Sequence, residues 1–200
     1  MPGDAVTVVL LYPELLGTYG DGGNALVLAQ RLRWRGRRAD IVEVTAGEPV
    51  PESGQIYLMG GGEDGPQALA ARELIASRAL HRAVEGGAAL LAVCAGFQVV
   101  GRRFVGPDGE PHAGRTRLGP GCQPLGRVVS GHGNNGDDGG EGGVSGRVVG
   151  TYLHGPVLAR NPALADHLLA SVVGDLEPLD DAEAEVLRKE RLAAARRERR

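Results

Sequence analysis

The apolar run Ala89-Leu90-Leu91-Ala92-Val93 ends on Cys94, and the chain turns at once through Ala95-Gly96 toward Phe97-Gln98. A strand that stops on a thiol and reverses into a helix has the form of a nucleophile elbow, which lifts its central side chain over the carboxyl end of a sheet. Backbone N–H groups just beyond the turn lie at a helix start, where they favour both a thiolate and an oxyanion. On this geometry Cys94 is the nucleophile of a cysteine hydrolase. The competing reading is a buried structural cysteine, which packs as a small hydrophobe. A thiol nucleophile needs a base to take its proton and later return it to a leaving group, and imidazole has a suitable pKa. Of the five histidines, His154 directly follows the apolar run 147–153 and precedes Gly155-Pro156, again at a strand terminus. His81 and His167 fall inside expected helices, while His112 and His132 lie in loops with no supporting frame.

These side chains need elements to carry them. Residues 6–12 are a short apolar run rich in β-branched residues and read as a buried parallel strand. Asp21-Gly22-Gly23-Asn24 caps a helix with Leu26, Ala29 and Leu32 at helical spacing, ending near Gly36. Strands follow at 39–44 and 55–59, the latter running into Gly60-Gly61-Gly62. A helix from near Pro66 to about Val84 offers Ala68, Leu69, Leu74 and Leu80 to the core, and the strand ending at Cys94 comes next. This alternation is an α/β pattern, a mostly parallel sheet flanked by helices on both faces. Ligands of such sheets bind beyond the strand carboxyl ends, so Gly60-Gly61-Gly62 and Cys94 should share one rim.

The second half reads differently. Glycine dominates residues 106–146, and only 125–130 and 147–153 have strand character, as antiparallel or edge strands. The stretch 131–138 is turn chemistry and reads as a flexible connection. Asp137, Asp138 and Glu141 raise the question of a calcium loop, but EF-hand ligand spacing is absent and no metal site is expected. Helices return at 162–173 and 180–198, which divides the chain into a domain over 1–175 and a charged helix or tail over 176–200.

Composition sets outer bounds. Two hundred residues with 42% hydrophobic content can bury one sizeable core. The longest apolar runs fall far short of the ~20 residues that span a bilayer, and no signal-peptide series opens the chain, so a cytoplasmic protein without membrane insertion is expected. Cys94 and Cys122 then read as reduced thiols. A net charge of −3 argues against general nucleic-acid binding.

Four segments together carry a family resemblance: Tyr19-Gly20-Asp21-Gly22-Gly23-Asn24; Gly60-Gly61-Gly62-Glu63-Asp64 with Gln67-Ala68-Leu69; Ala92-Val93-Cys94-Ala95-Gly96-Phe97-Gln98; and Gly150-Thr151-Tyr152-Leu153-His154-Gly155-Pro156. In this order they resemble the class I, triad-type glutamine amidotransferases of flavodoxin-like architecture. Within that class the chain is most similar to the cobyric-acid-synthase-like branch that holds the GatD subunits of lipid II isoglutaminyl synthase. The resemblance implies hydrolysis of L-glutamine by Cys94 with His154 as acid and base, and an oxyanion and substrate site from Ala95, Gly61, Gly62 and Gln98. It also implies a heterodimer with a Mur-ligase-like subunit (MurT), which would use the ammonia to amidate D-glutamate in peptidoglycan synthesis. No Gly-x4-Gly-Lys-Ser/Thr pattern occurs here, so no cofactor is expected on this chain and ATP and Mg belong to the partner. Many class I enzymes place a glutamate two residues beyond the histidine, where this chain has Pro156. Asp21 is the candidate orienting carboxylate, with a plain helix N-cap as its other reading.

One departure stands out. The family continues beyond 104–109 with several tens of residues that this chain lacks, which reads as a deletion after about residue 112, truncating the domain between about 110 and 116. The arginine that the family uses to hold glutamine goes with it, leaving Arg115 or Arg117 as substitutes. The chain is therefore read as an active glutaminase subunit with a shortened substrate wall, or as an impaired subunit that mainly binds its partner. Cobalamin-pathway amidation ranks behind both, because those enzymes usually carry a fused ATP-binding domain. Loss of internal strands also predicts an unpaired sheet edge prone to association.

Overall fold

The strands that form the centre of the molecule are apolar on both sides. In the computed structural model, which describes residues 5–101 and 115–197, β1 (Val6–Leu11), β3 (Ile56–Met59) and β4 (Ala89–Val93) are buried almost throughout. Strands with no wettable face must be covered by helices above and below. With β2 (Ala39–Val44), β7 (Gly143–Ser145) and β8 (Val148–Thr151) they make a six-stranded sheet in the order β2-β1-β3-β4-β8-β7. Every neighbouring pair is parallel except β7 with β8. The α/β architecture expected from the sequence is thus the one observed.

Successive side chains of β4 enter different cores, as the two-residue period of a strand requires. Leu91 packs with Leu28 and Leu32 of α2 (Gly23–Trp34), Leu158 of α6 (Val157–Arg160) and Leu168 of α7 (Pro162–Val173). Leu90 packs in the other core, with Leu16 of α1 (Pro13–Leu16), Leu74 of α3 (Asp64–Ser77), Leu80 of α4 (Ala79–Glu85) and Ala95 of α5 (Ala95–Val99). Each such leucine contributes about 1.5–3 kcal/mol by leaving water.

Several boundaries differ from the sequence expectation. The helix expected from Pro66 to Val84 is broken into α3 and α4 at Arg78, whose φ is 52°. Within it Leu74 and Leu80 are buried, but Ala68 and Leu69 face solvent. In α2 the inward stripe is Ala25, Leu28, Ala29 and Leu32, and Leu26 is 62% exposed. Strand β8 is neither antiparallel throughout nor at an edge: it sits inside the sheet, parallel to β4. The expected strand at 125–130 is reduced to β5 (Gly126–Arg127), which pairs with β6 (Gly140–Glu141) in a separate antiparallel ribbon. The free side of β7 is closed by a bridge to Gln123, whose N–H donates to Val144 O at 2.9 Å and whose carbonyl accepts from Val144 N at 2.7 Å.

A buried ion-pair cluster ties the C-terminal segment to this body. Arg31, 3% exposed, donates to Asp166 at 2.7 Å and to Asp181 at 2.8 Å, and Arg35 adds a bond to Asp166 at 2.7 Å. Burial alone would raise the Asp166 pKa; the guanidinium groups of Arg31 and Arg35 outweigh it and hold the carboxyl below its ordinary value. Asp181 leads into α8 (Ala182–Arg197), which has no buried residue. None of the helices among the described residues is long and apolar enough to cross a membrane.

Candidate active site

Cys94 joins β4 to α5 with φ 54° and ψ −112°, a conformation that costs free energy for any residue with a Cβ. Its neighbours hold it there. The Cys94 N–H donates to Thr151 O of β8 at 2.8 Å, the Gly96 N–H to Gly60 O at 3.0 Å, and the Gln98 N–H back to Cys94 O at 3.3 Å. A side chain at Gly96 would stand 2.8 Å from Met59 Cβ, so only glycine lets the elbow lie this close to the end of β3. The thiol is half-buried. Burial pushes its pKa up; a hydrogen bond from the Ala95 N–H opposes this, and the charges of Asp21 and Glu63 raise it further. A thiol so placed holds its proton and requires a base to become a nucleophile.

The loop after β3 forms the facing wall. A Cβ on Gly61 would lie 2.7 Å from the Tyr19 ring and 3.2 Å from Cys94 Cβ, and one on Gly60 would lie 2.5 Å from Asp21 Cβ. The main chain therefore comes directly against Cys94, and any side chain there would collide with the Tyr19 ring or with Asp21. Asp21 locks this loop. It is 2% exposed, and its Oδ2 accepts the Gly61 N–H at 2.8 Å. Its other oxygen, Oδ1, is buried without a hydrogen-bond partner. Burial raises the Asp21 pKa, while the Gly61 N–H and nearby His154 work in the opposite direction. The side chain does not cap α2, whose N-cap position is Gly22. Asp21 thus hydrogen-bonds to the loop, with His154 near enough to act on its charge.

His154 lies just past β8 and is exposed. The turn after it is fixed by buried Asn24, whose Nδ2 donates to Gly155 O at 3.3 Å and whose Oδ1 accepts the Leu158 N–H at 3.0 Å. The imidazole meets Tyr19 edge-on, with ring centroids 4.8 Å apart. Tyr19 consequently contacts both the Gly61 position and His154 across the mouth of the site, with Glu63, through its charge, the largest influence raising the Tyr19 pKa. Sequence reading assigned Tyr19 no role, although an aromatic residue between Gly17 and Gly20 in the loop that leads to Asp21 was a usable signal.

The remaining candidates are placed as follows. Ala95 and Gln98 lie on α5, Ala95 buried and Gln98 partly so. Gly62 ends the glycine triplet against Leu15 O. The Gly61 N–H, a candidate oxyanion donor, is already engaged by Asp21. Arg117 is 85% exposed and faces Asp137 at 3.8 Å, while Arg115 is exposed beside Thr116, whose hydroxyl meets that of Tyr152 at 2.6 Å. His81, His132 and His167 are exposed and distant in sequence from the rim, and His112 lies outside the described residues, as does the 110–114 junction. Both Cys94 and Cys122 are free thiols.

The stretch 131–142 is ordered by its own side chains. Asn135 Oδ1 accepts from the N–H groups of Asp137 and Asp138 at 2.9 and 3.1 Å, and its Nδ2 donates to Asp138 at 2.7 Å. Among the described residues no group of three or more His, Cys, Asp or Glu side chains could hold a metal ion.

Three sets of relatives bear on this site. A family model described as the CobB/CobQ-like glutamine amidotransferase domain matches residues 7–111 and 110–162. The chain is 31% identical, over 229 aligned residues, to "Lipid II isoglutaminyl synthase (glutamine-hydrolyzing) subunit GatD" of Staphylococcus aureus (strain N315), covering 92% of this chain and 93% of that one. It is 30% identical to the protein of the same description from Streptococcus pneumoniae (strain ATCC BAA-255 / R6), over 84% of this chain and 80% of that one. A cobyric acid synthase of Pelotomaculum thermopropionicum is 44% identical over only 85 residues, 14% of its length. In fold, a crystal structure of a glutamine amidotransferase superposes with a TM-score of 0.51 at 21% identity, covering 84% of this chain and 99% of that one.

Proposed function

Because the chain belongs to the CobB/CobQ-like glutamine amidotransferases, in the branch of the GatD subunits of lipid II isoglutaminyl synthase, we propose that it hydrolyses L-glutamine to glutamate and passes the ammonia to a separate subunit. That partner is a Mur-ligase-like, ATP- and Mg-dependent enzyme that amidates the D-glutamate of lipid II in cell-wall synthesis. The observation that carries this reading is the strained Cys94 elbow, set on one rim with the Gly60–Gly62 loop and His154.

His154 takes the thiol proton, and the Cys94 thiolate attacks the side-chain amide carbon of glutamine. The tetrahedral oxyanion is held by the N–H groups of Ala95 and Gly62, since that of Gly61 is bound to Asp21. His154 protonates the departing ammonia, then draws a proton from water as the thioester is cleaved. Asp21 fixes the loop that carries Gly62 and lies near His154. Gln98 stands one turn along α5 from Cys94.

A second reading is favoured by one observation. An alignment of 229 positions cannot be filled by 200 residues, and the family model is met in two stretches that adjoin at 110–111. This supports an internal deletion that removes the glutamine-holding wall and leaves a subunit whose main task is binding its partner. Ammonia release from glutamine by the chain purified with a Mur-ligase-like partner separates the two. Activity that falls at least about 10³-fold in Cys94→Ala supports hydrolysis. An unmutated complex that releases no ammonia overturns it in favour of the partner-binding reading.

A further inference from the structure

Beyond Thr151 the chain leaves β8, and its next N–H groups can no longer be paired by the sheet ladder. Backbone N–H groups that lose their ladder partners need acceptors from elsewhere. The structure supplies them from a residue ten positions earlier. Glu141 Oε1 accepts the hydroxyl of Thr151 at 2.7 Å and the N–H of Tyr152 at 2.8 Å. The same Thr151 hydroxyl accepts the Leu153 N–H at 3.0 Å, and the Thr151 carbonyl accepts the Cys94 N–H at 2.8 Å. One fully buried threonine therefore links the backbone of the thiol to the residues that lead into His154.

Glu141 is itself held on both sides. The Gly140 N–H donates to Asp138 Oδ1 at 2.8 Å. Asn134, 1% exposed, accepts the Gly142 N–H at 2.7 Å and donates to Gly142 O at 2.8 Å. Gly142 has φ 63°, and a Cβ there would lie 2.9 Å from Leu125 Cβ, so the turn has one conformation and one residue type. The ordered segment 131–142 thus delivers a single carboxylate oxygen to the end of β8.

We propose that Glu141 is a positioning residue for His154, fixing the strand end that carries the imidazole through its bonds to Thr151 and Tyr152. This inference rests on His154 acting as the base for Cys94. It gives the site a carboxylate that acts on the backbone two residues ahead of the histidine rather than on its ring. Charge-assisted bonds of this kind are about twice as strong as neutral ones. Removing the carboxylate takes the acceptor away from the buried Thr151 hydroxyl and the part-buried Tyr152 N–H.

The test measures alkylation of Cys94 by iodoacetamide across pH, read by intact mass on the whole chain, with Cys122→Ser in every sample and Cys94→Ala as blank. His154→Asn defines the profile without the imidazole. Glu141→Ala should move toward that profile, with a rate near neutral pH lower by about tenfold. Glu141→Gln, whose amide oxygen can accept both bonds, should stay within about threefold of the unmutated chain. If Glu141→Ala does not fold, Thr151→Val against Thr151→Ser repeats the contrast, the valine losing the hydroxyl link and the serine keeping it. A Glu141→Ala profile that superposes on the unmutated one overturns the proposal, and so does a Gln variant as impaired as Ala. None of these samples contains glutamine. A chain that shows the expected alkylation pattern yet releases no ammonia in complex with its partner sinks the glutaminase reading and leaves the role of Glu141 standing.

Discussion

The two sides of the site are held in place by different physics. On the Cys94 side, β4 is buried at every residue between β3 and β8, and glycine-lined main chain presses against the thiol residue. Position there follows from apolar packing and steric exclusion. On the imidazole side, the supporting strands β6, β7 and β8 are two to four residues long, and buried Asn134, half-buried Glu141 and buried Thr151 do the fixing. Apolar packing is non-directional and shared among many contacts, so it tolerates small losses. A hydrogen-bonded turn depends on each partner, because an abandoned buried donor or acceptor bears its full desolvation penalty.

Truncation on each side separates the two mechanisms. Leu91→Ala removes a side chain shared by β4 and the α2/α7 core, and it should cost about 2–5 kcal/mol of global stability. The loss should appear as one cooperative shift of the whole unfolding curve. Asn134→Ala should cost less, about 1–3 kcal/mol, by stranding the N–H and carbonyl of Gly142. Its loss should be local: amide exchange should quicken over 134–153 while β1, β3 and β4 keep their protection. Uniform quickening across both regions in Asn134→Ala would break the comparison, since the polar scaffold would then be no more separable than the core.

This division also explains what could be read from the sequence. The elbow was legible because an unbroken apolar run, a thiol and a glycine follow one another within a few residues. The parallel strands and the glycine triplet were legible for the same local reason. The break at Arg78 was not, because a left-handed arginine carries no glycine or proline to mark it. Strand β8 reads as an antiparallel or edge strand because its four residues stand in a glycine-rich setting that resembles a hairpin. Segment 131–138 reads as a flexible connection because its Asn and Asp residues favour turns, and which backbone groups they bind is decided by tertiary contact. Tyr19 and Glu141 were missed on the same ground: their partners are distant in sequence and no spacing announces them.

Asp21 lies where the two sides meet, bound to the Gly61 loop and close to His154, and it gives the smallest and most discriminating effect. Burial raises its pKa, so the folded chain holds this proton more tightly than the unfolded chain does. Its contribution to stability is then full below the ordinary carboxylate pKa and is lost as pH rises through the raised value. Asp166 has the opposite sign: held below its ordinary value by Arg31 and Arg35, it stabilises at higher pH and loses that contribution on acidification. Asp21→Asn keeps an oxygen for the Gly61 N–H and removes the buried charge. It should raise the melting temperature at pH 7 by about 2–4 °C per kcal/mol recovered. Ammonia release should meanwhile fall by about tenfold, because the carboxylate charge near His154 is lost. A variant that melts lower at pH 7 and keeps full activity would make Asp21 a plain anchor of the loop. A variant that gains stability and loses activity would show a carboxylate kept buried and under-bonded, at a cost to the fold, for the benefit of the histidine beside it.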